Sequence, residues 1–84
     1  MSAVFCFFGS ETGTGVLAFL VSPDKYRIGD MDYHIVIIPT APVPFGGAMV
    51  FVPVKNVRPA DISVDGVMSI YLSMGVSAPQ YFKH

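Results

Sequence analysis

The predicted strands of this sequence are apolar on both faces, and this feature most constrains the fold. Residues 16–21, 35–38 and 49–52 are unbroken runs of aliphatic and aromatic side chains, which is the pattern of buried strands. A strand with one face in water alternates apolar and polar residues instead. The sheet must therefore curl into a barrel, pack on a symmetric copy, or lie against a membrane or another partner.

The chain is too short to cover such a sheet by itself. It has 84 residues, of which 52% are hydrophobic and only 13% charged, whereas an ordinary domain has about 25% charged residues. We expect a single small domain, residues 1–84, with some apolar surface covered by another subunit, a membrane or a partner. The net charge of −1 and the absence of a basic stripe argue against nucleic acid as a partner.

Turn signals divide the chain into four main strands and one short edge strand. Residues 9–15 form a glycine-containing hairpin connection, because no lysine follows that would make them a phosphate-binding loop. Residues 56–60 are predicted to be a polar connection, and residues 77–84 a loose tail. The predicted strands are residues 3–8, 16–22, 33–38 and 48–54, with residues 26–28 as the edge strand.

A helix is predicted after Ser63. Ser63 is a favoured N-cap, Asp65 lies in the first turn, and Gly75 is placed where a C′ glycine belongs. The pair Asp65-Gly66 is also typical of a hairpin turn, but the apolar stripe continues for two turns beyond it. The stripe consists of Val64, Val67, Met68, Tyr71 and Leu72. The fold class is therefore α+β, mainly β: four to five strands in a small curved sheet or partly open barrel, with one C-terminal helix packed on it.

The two central strands are joined by a proline ladder, residues 39–47. Each proline fixes its own φ and favours extended geometry in the residue before it, so this segment is extended and turned. Gly46 and Gly47 supply positive φ, and Thr40 can hydrogen-bond nearby backbone. The ladder is either a rigid connection or a polyproline-like ridge for docking.

These residues resemble the soluble part of the "domain of unknown function 502" family, which includes bacterial membrane proteins and the plant like-COV proteins. Members carry Pro-Thr-x-Pro-x-Pro-x-x-Gly, then four residues, then Val-Pro. A second similarity covers residues 61–65 and 73–76, whereas the first 30 residues match only as two apolar strands. The matching positions of the first motif are Pro39, Thr40, Pro42, Pro44, Gly47, Val52 and Pro53.

The resemblance implies a fragment of an integral membrane protein, with two transmembrane helices before this domain and the domain on the cytoplasmic side. The family has no assigned biochemical activity. The resemblance also makes the motif positions the candidate binding residues: Pro39, Thr40, Pro42, Pro44, Gly47 and Pro53.

Two small constellations have residue types that carry chemistry. Asp30, Asp32 and His34 alternate, so on a strand they would project from one face as weak candidates for a metal site. Cys6 or Ser10 with His34 would be a nucleophile and base.

We expect no cofactor and no catalysis. The expected function is an interaction or assembly module beside the membrane that forms a homo-oligomer through its second apolar sheet face. The alternative is a small-molecule or lipid-binding module at the membrane surface.

Overall fold

The computed structural model describes residues 1–10 and 12–83. One antiparallel sheet has the strand order β3-β4-β2-β1-β6, and β5 pairs with β4. The strands are β1 (Ser2–Phe8), β2 (Thr14–Leu20), β3 (Tyr26–Ile28), β4 (Met31–Pro39), β5 (Gly47–Pro53) and β6 (Val57–Pro59). The helix α1 spans Val64–Leu72, and 3₁₀ turns lie at Val54–Asn56 and Ala78–Gln80. The predicted class, a mainly β curled sheet with one helix, is confirmed.

Strand β4 is the centre of the sheet because it pairs with three other strands. One edge of β4 holds β3 opposite residues 31–33 and β2 opposite residues 36–37. The other edge holds β5 in a continuous register from Tyr33↔Pro53 to Pro39↔Gly47. Both edges of β4 and its inward side chains are enclosed by neighbours, which explains why this strand is apolar and contains a fully buried Val36.

The sheet curls into an open half-barrel, because β5 is connected to β6 by only one 3₁₀ turn. β6 pairs with β1, at the far end of the strand order from β5. The turn Val54–Asn56 therefore draws the two ends of the sheet together. The interior residues are Val4, Cys6, Ala18, Val36 and Val52, all at most 3% exposed.

The curl corrects two predictions. The apolar face expected to bind another copy is the interior of the half-barrel, so it is not available for self-association. Residues 57–59, predicted to be part of a polar connection, form β6. Arg58 and Pro59 suggested a connection, but a short edge strand tolerates both residue types.

Helix α1 covers the outer side of β1 and β2. Val67 is fully buried against Leu17 and Phe19. Four of the five predicted stripe residues pack here, but Leu72 is 55% exposed and Ile70 packs in the cluster instead. Leu72 is the last residue of the helix, and its side chain lies at the surface.

Both ends of α1 are capped by hydrogen bonds. The Ser63 Oγ accepts a hydrogen bond from the Gly66 amide at 3.0 Å, as the predicted N-cap requires. At the other end the Gly75 amide donates to the Ile70 carbonyl at 2.8 Å, and the Met74 amide donates to the Tyr71 carbonyl at 3.1 Å. This is a Schellman motif in which Met74, with φ 54°, takes the C′ position predicted for Gly75.

Residues 77–83 pack on the domain and are not the loose tail that we predicted. The Phe82 ring lies 5.5 Å from the Phe5 ring, measured between centroids. The Tyr81 ring covers Gly66 so closely that a Cβ at Gly66 would be 3.0 Å from it. A glycine inside the helix is therefore explained by the ring above it. His84 lies outside the described residues.

The proline ladder is a tight turn organised by Thr40. The Thr40 amide donates to the Gly46 carbonyl at 3.1 Å, and its hydroxyl donates to the Val43 carbonyl. Pro39 and Pro44 are buried, and the Ala41–Pro42 peptide is cis. Of the two glycines predicted to supply positive φ, Gly47 does so with φ 152°.

Gly47 and Gly46 provide a matched pair of substitutions. A Cβ at Gly47 would lie 2.1 Å from the Ile38 carbonyl oxygen, whereas at Gly46 its nearest contact is the Thr40 Oγ1 at 3.5 Å. We expect Gly47→Ala to lower the free energy of unfolding by about 2 kcal/mol or more. Gly46→Ala should change it by less than about 1 kcal/mol. Urea unfolding followed by circular dichroism measures both, and equal losses would contradict the assigned turn geometry.

Candidate functional site

The outer side of β3, β4 and β5 has no cover in the part of the chain that the structure describes. Side chains alternate along a strand, so the inward position of Val36, Val50 and Val52 places their neighbours on the outside. We call this surface the outer patch. It consists of Tyr26, Ile28, Tyr33, Ile35, Met49 and Phe51.

Four side chains of the outer patch are strongly exposed. Met49 is 63% exposed, Ile28 49%, Phe51 45% and Tyr26 40%. The Tyr26 and Phe51 rings make a T-shaped contact with centroids 6.2 Å apart and an interplanar angle of 85°. This geometry is favourable for two aromatic rings and fixes β3 against β5 across the patch.

The outer patch is free of acidic and basic side chains. No Asp, Glu, Lys or Arg occurs in residues 33–54, which include all of β5. The nearest charged side chains in β3 and β4 are Arg27 and Asp32, which pair at 3.4 Å and alternate with the patch residues, so they project from the other face. A molecule bound to the outer patch therefore contacts no charged side chain of β3, β4 or β5 within the patch.

The outer edge of β5 is unpaired among residues 1–10 and 12–83. Because the Thr40–Gly46 bond begins the β4–β5 ladder, the backbone groups of Ala48, Val50 and Val52 face β4. Consistently, the Ile35 carbonyl of β4 faces the opposite way and accepts from the Val21 amide at 3.2 Å. The amides and carbonyls of Met49 and Phe51 therefore point away from the sheet.

The candidate binding residues of the proline ladder have different positions. Pro39 and Pro44 are buried and Pro53 is half-buried, so these three serve the turn and the strand end. Thr40, Pro42 and Gly47 are exposed. The side chains of the ladder most available to a partner are ones that the motif leaves variable, namely Val43 at 58% and Phe45 at 82% exposure.

An open apolar cleft of about 340 Å³ separates the ladder from the end of α1. Its wall includes Tyr71, whose hydroxyl donates to the Leu17 carbonyl. Burial, and secondarily repulsion from the Cys6 thiolate at high pH, raise the pKa of Tyr71. The cleft is lined by Leu17, Ala41, Ile70, Tyr71, Met74 and Gly75.

The structure does not assemble the metal candidates into a site. Asp30 lies in the β3–β4 turn, Asp32 pairs with Arg27, and the His34 Nδ1 lies 2.9 Å from the Asp24 carbonyl oxygen. A carbonyl oxygen only accepts, so the Nδ1 carries the proton. Within the described ranges, no three His, Cys, Asp or Glu residues are close enough to hold a metal ion.

The nucleophile candidates are also separate. Cys6 is completely buried in the half-barrel, and burial raises the pKa of its thiol to about 11. Ser10 lies exposed in the β1–β2 turn. His34 is committed to the Asp24 carbonyl. A nucleophile needs a base within hydrogen-bond reach, and the hydrogen bonds of the described chain do not link these groups.

Comparison with protein-family models, with curated proteins and with solved structures found no match to the chain. No helix in residues 1–10 and 12–83 is long and apolar enough to cross a bilayer. The site is therefore defined by its own geometry: an uncharged patch, an unpaired strand edge beside it, and a separate apolar cleft.

The buried thiol of Cys6 predicts a pH dependence of stability. The folded-state pKa of about 11 lies above the ordinary value of 9.0. Above about pH 9 the unfolded chain releases this proton while the folded chain keeps it, so stability falls as the pH rises toward 11. This group contributes a slope of up to about 1.4 kcal/mol per pH unit.

Cys6→Ala tests that dependence. The free energy of unfolding should fall less between pH 8 and pH 10.5 in Cys6→Ala than in the parent chain, even though the truncation lowers stability at both pH values. Taking the fall within each protein removes the constant cost of the truncation, and comparing the two falls cancels the groups that titrate alike in both proteins. Identical pH dependence in the two proteins would contradict the buried thiol.

Proposed function

We propose that this chain is a non-catalytic assembly module of a membrane-anchored protein in the "domain of unknown function 502" family. It associates with copies of itself through the outer patch, on the cytoplasmic side of the membrane. The membrane anchor and its side follow from the resemblance at Pro39, Thr40 and the following motif positions. The assembly function rests on the outer patch.

The size and chemistry of the outer patch support assembly. Large side chains bring roughly 200 Å² each, so the exposed fractions of Met49, Ile28, Phe51 and Tyr26 leave about 400 Å² of apolar surface. A patch of about this size is often functional. It supplies about half of the ~800 Å² that each partner contributes to a standard interface, and the rim and strand edge extend it.

The absence of charge favours a second copy as the occupant. A heterologous partner with a charged surface would find nothing to pair with inside the patch. The outer patch of a second copy is also apolar and uncharged. Contact between the two patches therefore leaves no buried charge unpaired.

Phe51→Lys tests this function, with Phe45→Lys as the matched control. Phe45 is 82% exposed on the ladder, outside the patch. In sedimentation velocity at high micromolar concentration, we expect the parent chain and Phe45→Lys to form closed oligomers. Phe51→Lys should raise the dissociation constant at least about tenfold, because a lysine would be buried in an apolar contact. A monomeric parent chain would contradict the proposal.

The cleft beside α1 supports a second candidate, a lipid-binding or small-molecule-binding function. Its volume of about 340 Å³ lies at the lower end of the range of ligand sites. Met74 lines it from a backbone conformation, φ 54°, that is costly for a residue other than glycine. The bond between the Tyr71 hydroxyl and the Leu17 carbonyl leaves few polar groups facing the cleft.

Native mass spectrometry distinguishes the two functions. A lipid-binding protein would retain an additional lipid mass on each chain after purification, and Met74→Asp would abolish it by placing a charge in the cleft. Val76→Asp is the control, since Val76 is 81% exposed and does not line the cleft. We expect clean multiples of the chain mass, and a retained lipid that Met74→Asp removes would favour the second candidate.

A further inference from the structure

We propose that two copies of this chain join β5 to β5, antiparallel and edge to edge, around a twofold axis at Val50. The two half-barrels then share one continuous sheet. The inference rests on the proposed self-association, and it adds to the outer patch a backbone contact along the neighbouring edge of β5, with a defined register.

The sheet has three edge strands in the described residues, namely β3, β5 and β6. They differ in how well they are protected from pairing with another chain. β3 and β6 have three residues each; β3 contains Arg27, and β6 contains Arg58 and ends in Pro59. Short length, charge and proline are the devices that prevent edge-to-edge pairing. β5 has seven residues and no charged side chain, with its single proline, Pro53, at the last position.

The unpaired backbone groups of β5 are self-complementary. The amides and carbonyls of Gly47, Met49 and Phe51 face away from β4, as the ladder register requires. In an antiparallel pair centred on Val50, Met49 of one copy lies opposite Phe51 of the other, and both of their amides find carbonyl partners. The Gly47 amide meets the Pro53 carbonyl, so the missing amide of Pro53 leaves only the Gly47 carbonyl to solvent.

The side chains agree with the same register. Met49 and Phe51 both belong to the outer patch. The pairing places the Met49 thioether of one copy beside the Phe51 ring of the other, and the twofold axis makes this contact occur twice. Sulfur–aromatic contacts of this kind are favourable. The pairing also joins the two outer patches into one surface, because β5 lies at the edge of each.

Cysteine cross-linking tests the register directly. In this register Met49 of one copy lies opposite Phe51 of the other, with Cα atoms ~5.5 Å apart, which is within disulfide reach. The two copies of Met49 are offset by two residues along the strands, and so are the two copies of Phe51, so neither of these pairs is within disulfide reach. We therefore expect a mixture of Met49→Cys and Phe51→Cys chains to form a disulfide-linked dimer under mild oxidation. Each variant alone should form little, and the parent chain none, because Cys6 is completely buried and its thiol pKa is about 11.

Met49→Pro tests the backbone pairing. Proline removes an amide that faces the free edge and leaves the bonds of β5 to β4 intact, so the fold tolerates it better than an interior position would. We expect loss of the dimer in sedimentation, while Met49→Val, which keeps the amide, retains it. If Met49→Pro fails to fold, the cross-linking result decides.

The outcomes separate the register from the proposed function. In one outcome Phe51→Lys dissociates the dimer, but the cysteine mixture does not cross-link and Met49→Pro is still dimeric. This result overturns the edge pairing and leaves assembly through the outer patch standing. A parent chain that is monomeric at high micromolar concentration overturns both. A monomer that floats with phosphatidylcholine vesicles also overturns both and assigns the patch to a bilayer.

Discussion

The 3₁₀ turn Val54–Asn56 connects the two ends of the strand order, and the distribution of apolar surface depends on this short connection. Because β5 and β6 are only one turn apart in sequence, the sheet between them cannot remain flat. One apolar face becomes the interior of the half-barrel, where Cys6, Ala18 and Val36 are completely buried. A chain of this length thus forms a buried core without a layer of helices inside the sheet.

The remaining apolar surface follows from the short length of α1. A helix of nine residues covers the outer side of β1 and β2 and does not extend over β3–β5. The residues there resemble those of the core in composition, and nothing in the described ranges shields them. The uncovered surface and the unpaired edge of β5 occur together because both lie beyond β2, at the end of the outer face that the helix does not reach.

The proline ladder has a structural explanation that does not require a ligand. Thr40 bonds the Gly46 carbonyl with its amide and the Val43 carbonyl with its hydroxyl, Pro39 and Pro44 are buried, and a side chain at Gly47 would collide with the Ile38 carbonyl. A motif of this kind fixes the register of β4 on β5. That register in turn determines which backbone groups of β5 face outward, so the ladder affects the proposed interface without being part of it.

Much of the local structure could be predicted from the sequence, because it depends on neighbours along the chain. Doubly apolar runs indicated the strands, Ser63 indicated the start of the helix, and the Thr40 bonding followed from turn chemistry. The candidate site could be predicted only in kind: an excess of apolar surface was evident, but its place on the outside of β3–β5 was not. The metal and nucleophile constellations were suggested by spacing, and tertiary structure separates their members.

By itself, the sequence determined the fold class and the presence of more apolar surface than one short helix covers. Tertiary structure decided which apolar face is buried, since the choice depends on how strands distant in sequence close around a three-residue turn. It also decided that residues 57–59 pair with β1 and that Phe82 packs on Phe5, because both need partners from the other end of the chain. Side-chain patterns along the sequence indicate which residues are apolar enough to be buried. Which elements cover them depends on contacts between residues that are distant in the sequence.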